Sequence, residues 1–336
     1  MAPGRLRSEW VARLFVLFIG LGVPMIVVLV GRIDRARVIN VQAKMPEVGG
    51  WSPVELSAAV GEPLDLRLVS DDVVHGFAVG KTDIQPVDLI PGQVTEVSLQ
   101  FDKPGTYTFY CTKWCGPNHW RMRGTIEVTG PQFSPVAPEP PLYMSLGIDL
   151  DLPHDVHLEL DRKPSALNGE ALDVVLPEEF RTREYYLSNS PYDTWLALKE
   201  LPAISHLNDA EVWDLVAWLW ASNSNRDALK TGEELYRQNC AACHGEAGDG
   251  KGVFTRVEDN DSHAESLSKD FGHALVAPTD FTDPSHMMGS SSTLLQGKIL
   301  RGGMGTGMPS WGQIFTEDQI WALVDYLWTY QFQMED

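Results

Sequence analysis

The hydrophobic pattern changes three times along the chain, and each pattern calls for a different element. From Leu14 to Val30 every residue is apolar, Gly or Pro. With Val11 and Ala12 the run reaches about 20 residues, the length of a helix that crosses a bilayer core. Arginines flank it on both sides (Arg5, Arg7 and Arg13; Arg32, Arg35 and Arg37), so the positive-inside rule gives it no direction. A basic start also suits a cleaved leader, but no small-x-small cleavage site follows. The expectation is a retained single-span anchor over 11–31, a short tail over 1–10 and a linker over 32–50.

Segment 51–130 turns to a period of two. Leu64, Leu66 and Leu68 alternate with polar residues, as do Val97, Leu99 and Phe101, then Tyr107, Phe109 and Cys111, then Ile126 and Val128. Turn signals at Pro91-Gly92 and Pro104-Gly105 separate the runs. Short alternating strands at this spacing predict a small all-β sandwich or barrel. Pro131, Pro135, Pro138, Pro140 and Pro141 then mark a stiff linker over 131–147. The remainder is mainly helical and contains a repeat. LNDAEVWDLVAWLW (207–220) aligns with FTEDQIWALVDYLW (315–328), pairing Trp213 with Trp321 and Trp220 with Trp328. Each copy opens on a capping-box pattern, Asn208 to Glu211 and Thr316 to Gln319. Upstream, PEEF (177–180) aligns with PTDF (278–281), and the second copy has seven extra residues around GGMGTGMP. The domain boundaries expected here are 148–228 and 229–336. The whole is a multidomain chain: one N-terminal transmembrane helix, one all-β domain, then all-α domains.

Composition narrows the class. Hydrophobic residues make up 43% and charged residues 21%, which excludes wholesale disorder and a polytopic membrane protein. The net charge of -20 disfavours nucleic acid as a partner. The charge is uneven: residues 1–50 hold seven Lys or Arg against three Asp or Glu, and all the excess acid lies beyond them.

The four cysteines form two close pairs, each beside a histidine. In CTKWCGPNHWRM (111–122) the spacing is Cys111-x3-Cys115-x3-His119-x2-Met122, and His75 lies upstream at the end of a predicted strand. Two thiolates, two imidazoles and a thioether form a soft donor set that suits copper. Zinc would want four tetrahedral ligands and has little use for Met122. A Cys111–Cys115 disulfide is the plainer alternative in an oxidising compartment. The second pair lies in CAACH (240–244), the Cys-x-x-Cys-His pattern of covalent haem attachment, in which His244 is the proximal ligand. For the sixth position Met308, before Pro309, competes with Met304, Met287 and Met288, and with His263, His273 and His286.

From Leu68 to Val128 the chain resembles the dinuclear copper (CuA) domain of cytochrome c oxidase subunit II, a cupredoxin. VVHGF, LIPGQVTEV, DKPGTYTFYC and GTIEV carry the likeness, and the HGF form is similar to the B-family oxidases and nitrous oxide reductase rather than to the mitochondrial type. That resemblance implies two coppers bridged by Cys111 and Cys115. His75 and His119 would cap one copper each, with Met122 and the Lys113 carbonyl as weak axial ligands. Residues 229–336 resemble a class I cytochrome c domain with one haem c, and GTGMPSW resembles its distal methionine loop, which favours Met308. Segment 148–228 shares the terminal helix and the PxxF anchor but has no cysteine, so it is expected to be a cytochrome c-like domain without haem.

The resemblance further implies subunit II of a membrane haem-copper terminal oxidase. Both metal domains would lie on the outer, periplasmic face of a bacterial-type cytoplasmic membrane, with the N-terminus cytoplasmic. Electrons would run from an external donor (a soluble cytochrome c or small copper protein) through haem c and CuA to a polytopic catalytic subunit I, where oxygen is reduced. No catalytic residue is expected in this chain, and membrane lipid is an expected partner. Trp114 between the cysteines could face a redox partner, and the acidic run Glu258, Asp259, Asp261, Glu265 and Asp270 could meet a basic donor. Two alternatives stay open: the equivalent subunit of a CuA-containing nitric oxide reductase, and a membrane-tethered electron carrier. Nitrous oxide reductase is excluded. Its second cluster needs seven histidines, and of the nine here three serve the two sites above.

Overall fold

The computed structural model describes residues 38–116, 119–131, 139–253, 277–303 and 307–334, together with Val16, Phe18 and Ile19. All but those three residues of the anchor expected over 11–31, and the acidic run, Met304, His263 and His273, lie outside the described residues. Among the described residues no helix is long and apolar enough to cross a membrane.

The first domain is a two-sheet β-sandwich. One sheet has the order β2-β1-β4-β7, with β1 Ile39–Ala43, β2 Trp51–Ser52, β4 Leu64–Ser70 and β7 Val94–Leu99. The other has the order β3-β9-β8-β5-β6, with β3 Glu55–Ala59, β5 His75–Val79, β6 Val87–Leu89, β8 Gly105–Tyr110 and β9 Arg123–Thr129. Pairings are antiparallel except β1 with β4 and β3 with β9. The alternation read from the sequence sets the inward faces: Leu64, Leu66 and Leu68 are buried on β4, Ile126 and Val128 on β9. Trp51, Phe77 and Phe109 pack ring to ring at 5.5–5.8 Å across the core. One expectation is corrected. Residues 39–43, taken as part of a linker, form β1 and pair in register with β4 from Ile39↔Leu66 onward. Their apolar positions are only Ile39, Val41 and Ala43, too short a run to show a period.

The remainder is helical: α1 Leu142–Ser145, α2 Ala166–Ala171, α3 Arg183–Ser188, α4 Pro191–Lys199, α5 Asp209–Ala221, α6 Arg226–Asn239, α7 Ala241–His244, α8 Pro284–Met287, α9 Ser292–Arg301 and α10 Glu317–Trp328. The repeat extends well beyond the helix pair that the sequence displays. Helix α5 crosses α2, and α10 crosses α6. The crossings are equivalent residue by residue. A Cβ at Gly169 would lie 2.0 Å from the Asp214 carbonyl oxygen, and one at Gly232 would lie 2.1 Å from that of Ala322. NGEALD (168–173) and TGEELY (231–236) therefore correspond, because only glycine lets the two backbones touch. Between the crossing helices, α3 and α4 match α8 and α9. Thr182 and Asp283 cap the first of each pair, Ser190 and Ser291 the second. Both capping boxes form at α5 and α10. The copies meet through equivalent tryptophans, Trp220 and Trp328, edge to face at 6.0 Å.

Candidate copper and haem sites

The sandwich brings all six residues of the first constellation together. His75 opens β5, Cys111 follows β8, Met122 precedes β9, and the loop between β8 and β9 supplies Lys113, Cys115 and His119. Cys111 Sγ lies 3.9 Å from Cys115 Sγ, 3.8 Å from His75 Nδ1 and 3.4 Å from the Lys113 carbonyl oxygen. Cys115 Sγ lies 3.6 Å from His119 Nδ1 and 3.8 Å from Met122 Sδ. The two cysteines, two histidines and the methionine are all buried. The Lys113 side chain points away and pairs with Asp88 at 3.0 Å. The fold keeps the site tight at Gly76, where a Cβ would lie 2.0 Å from Thr112 Oγ1.

The electrostatics prepare this set for a cation. With one proton between the thiols, Cys111 is pulled below the ordinary thiol range by its contact with Cys115, helped by His119 and His75, and Cys115 is pushed up. The imidazole of His75 touches Asp72 through Nε2 at 2.7 Å. That contact directs Nδ1 and its lone pair at the sulfurs. Burial opposes a charge on His75, but its bonds to Cys111 and Asp72 outweigh burial and raise its pKa. The donors fit a soft metal: two sulfurs under 4 Å apart, each with its own imidazole. Neither Asp72 nor Trp51, whose Nε1 donates to the Met122 carbonyl at 3.0 Å, was picked out from the sequence. Asp72 had a signal, an acid three residues before the histidine in DDVVH.

The second constellation stands on helix ends. Helix α6 carries the chain to Cys240, and the single turn of α7 presents Cys243 and His244. His244 Nδ1 lies 3.2 Å from the Thr279 carbonyl, and its ring stacks on Phe281 at 4.5 Å. Both partners belong to PTDF, so the repeat anchor has a local task here: it holds the His244 ring from the Nδ1 side, which leaves Nε2 unengaged by this contact. Burial lowers the His244 pKa, which keeps the imidazole neutral as ligation needs. Burial also pushes the Cys240 thiol up to about 12. Burial favours the neutral form of both thiols, and neither is in a disulfide.

Of the candidates for the sixth position, Met287 and Met288 are consumed in the helical core. His286 pairs with Asp155 at 2.5 Å. Met308 packs against the same core from the loop between α9 and α10, and its carbonyl accepts from Gly303 N at 3.1 Å.

Residues 53–129 match the family described as cytochrome c oxidase subunit II, periplasmic domain. Residues 227–327 match cytochrome c oxidase, cbb3-type, subunit III. This chain thus carries a segment similar to the periplasmic domain of oxidase subunit II, followed by a segment similar to a cytochrome c-bearing oxidase subunit. Two cytochrome c oxidase subunit 2 proteins of Thermus thermophilus are each 38% identical to it over 79 residues, 24% of this chain. The match takes in 58% of one relative's length and 46% of the other's. An alternative cytochrome c oxidase subunit 2 of Bradyrhizobium diazoefficiens is 32% identical over 74 residues, 22% of this chain and 26% of that one. A solved structure of a haem-copper terminal oxidase dimer aligns with 24% identity and a TM-score of 0.25, over 36% of this chain and 99% of that chain. The subunit II match closes at β9, and the cytochrome c match opens on α6. Helices α2 to α5, the first helical copy, lie between them.

Proposed function

We propose that the chain is the electron-transfer subunit II of a membrane haem-copper terminal oxidase. It would pass electrons from an external donor, by way of haem c and a dinuclear copper centre, to a catalytic subunit that reduces oxygen. The observation that carries this reading is the convergence of two thiols, two imidazole Nδ1 atoms, a thioether and a carbonyl on one buried point. His75, Cys111, Cys115, His119, Met122 and the Lys113 carbonyl would hold two coppers. Cys240 and Cys243 would hold the haem covalently, with His244 and Met308 on the iron. The metals supply one-electron chemistry at potentials set by these ligands. The protein's own part is to keep the ligands still, so that little rearranges as charge passes. Asp72 fixes His75, Trp51 fixes the Met122 backbone, and Thr279 with Phe281 fixes His244.

The first helical copy is read as a cytochrome c-like domain without haem. Supporting this are its equivalent helix crossing and caps, and the short link Asp173–Leu176 where the second copy has Tyr236–Ala277, the stretch that contains CAACH. Residues 11–31 are read as the membrane anchor, with both metal domains on the periplasmic face. The test is to purify the native complex, measure copper and covalent haem per chain, and assay turnover with oxygen and with nitric oxide. Two coppers, one haem and oxygen turnover are expected. Fewer than two coppers per haem would sink the CuA assignment, and turnover with nitric oxide alone would move the chain to the sister reductase.

A further inference from the structure

The copper domain and the second helical copy share a narrow seam, and it lies directly behind both ligand loops. Arg123 is the residue after Met122, and in the β8–β9 ladder it stands opposite Tyr110, the residue before Cys111. Its Nη1 donates to the Ser310 carbonyl at 2.8 Å, and its guanidinium lies over the Trp311 ring at 5.2 Å. Ser310 and Trp311 are two and three residues past Met308. Beside this contact Lys81 N donates to the Ile314 carbonyl at 2.9 Å. A Cβ at Gly80 would lie 2.7 Å from Ile314 Cα, and Tyr110 packs against the helical core. On the helical side the loop is held firm: Trp311 N and Gly312 N both donate to the end of α9, at Ile299 and Leu300.

Stability alone gives no reason for an arginine here. Its Nη2 is buried without an acceptor among the described residues, and no carboxylate pairs with it there. A buried, unpaired charge is costly, and an apolar side chain of similar volume is often neutral or better. What the guanidinium uniquely supplies is a rigid, planar fork that bonds one loop and stacks on it at once.

We infer that Arg123 is the positioning residue that docks the haem's Met308 loop onto the copper domain and so sets the rate of internal electron transfer. This rests on the proposed copper and haem assignments. The step it governs is one electron leaving the ferrous haem, which becomes ferric, and entering the copper pair, which is reduced by one; no bond or proton moves. The domains are tethered, so the rate follows the fraction of time they spend docked.

The test uses the full chain with Arg123→Met and Arg123→Lys. Copper and haem content, both reduction potentials and the copper spectrum are measured first, and they should match the wild type. That agreement separates this inference from the assignments, which would fail by metal content instead. Hydrogen exchange at Lys81 and residues 310–314 should then rise by about tenfold or more in Arg123→Met, the factor carried by one hydrogen bond to a charged group. Haem-to-copper transfer after pulse reduction should slow by about tenfold, with partial recovery in Arg123→Lys. The global unfolding midpoint should hold or rise. A wild-type transfer rate in Arg123→Met, or slowing that tracks a fall in global stability with no local rise in exchange, overturns the inference. So does a result in which Trp114→Leu slows the internal transfer and Arg123→Met leaves it unchanged.

Discussion

Helices α2 and α5 of the first helical copy cross as α6 and α10 of the second do, glycine against backbone, and the capped helices between them keep the same order. The copies part company just past the crossing. Helix α2 ends at Ala171, six residues long, and the chain runs by Asp173–Leu176 into PEEF. Helix α6 runs fourteen residues to Asn239 and delivers Cys240, Cys243 and His244 before the chain returns at PTDF. Phe281 then stacks on His244, whereas its counterpart Phe180 packs on Tyr185 at 4.9 Å. The shared part of the fold is thus a packing solution. The chemistry proposed above rests on what one copy has in addition.

The sharpest way to break this comparison is to count haems. Intact-chain mass should show one covalent haem, and Cys240→Ala with Cys243→Ala should remove all of it. Total haem by absorbance should equal that covalent count; an excess would mean that the first copy, which has no cysteine, holds a haem by ligation alone, and the contrast would fall. The next largest effect tests the shared crossing. Gly169→Ala and Gly232→Ala each drive a methyl into a carbonyl oxygen 2.0–2.1 Å away. Each should cost about 3 kcal/mol or more in a urea titration, since neither backbone can yield alone. Only Gly232→Ala should also reduce haem loading, because only α6 leads to the attachment site. Equal loading losses in both variants would show that the copies fold as one unit with no division of labour.

A third test concerns what the first copy has that the second lacks. Asp214 is buried and takes two bonds from Arg162, one of them at 2.7 Å, and a third from Ser165 N at 2.8 Å. The equivalent position in the second copy is Ala322. Arg162 is half exposed, so its attraction is partly screened by solvent. Arg162→Ala should cost about 2 kcal/mol by leaving the carboxylate short of partners. Adding Asp214→Ala, which copies Ala322, should restore most of it. A double variant no better than the single would show that the loss does not come from a stranded carboxylate, and an Arg162→Ala cost near zero would show that the pair is decoration on an already stable crossing.

Most of the candidate site was legible because metal ligation leaves its residues close in sequence. Cys111 to Met122 spans one loop, and Cys240 to His244 one turn. What stayed hidden acts through backbone atoms or long range. Trp51 holds Met122 by its carbonyl, and Thr279 orients His244 by its own, so neither side-chain identity announces the role. The repeat was half legible for a similar reason. Its terminal helices carry large tryptophans that align by eye, but α2 and α6 share little beyond a Gly-Glu, the pairs α3/α8 and α4/α9 share only caps and burial, and Leu198 with Ile299 is a faint match. Strand β1 was missed because its apolar run is short, its neighbour β2 has two residues, and its longer partner β4 lies beyond two intervening strands.

A subtler contrast is Asp325 on α10, whose counterpart is Ala217. It is buried and accepts from the Tyr186 hydroxyl at 3.1 Å, a bond between the two copies. Burial pushes its pKa up from 3.8 to about 6. The folded chain therefore holds this proton more tightly than the unfolded one. The resulting stability is present in full below about pH 4 and is lost as pH rises through about 6. Asp325→Asn keeps an acceptor for Tyr186 without the charge. It should raise stability at pH 7 by about 1–2 kcal/mol and flatten the slope between pH 4 and 6. Thermal midpoints across pH 4–8 check this; parallel profiles for the two proteins would refute it.

The smallest effect lies at the contact between the copies. Trp328 Nε1 donates to Ser292 Oγ at 3.1 Å. Its counterpart Trp220 has Pro191 at the position of Ser292, and Trp220 Nε1 is buried with no acceptor among the described residues. Pro191→Ser would rebuild the second copy's bond in the first. An unsatisfied buried donor costs about 1–3 kcal/mol, so supplying an acceptor is worth part of that. Against it, Pro191 occupies the first turn of α4, where its fixed φ suits the helix. Releasing that constraint gives the unfolded chain back about 0.4–1 kcal/mol of entropy. The difference should leave Pro191→Ser stabilised by less than about 1 kcal/mol. Trp220→Phe, which deletes the donor, separates the two contributions. If the pairing is real, Pro191→Ser should stabilise the wild type and destabilise the Trp220→Phe background. The same sign in both backgrounds would mean that the proline sets the energy and that the tryptophans of the two copies are equivalent in position only.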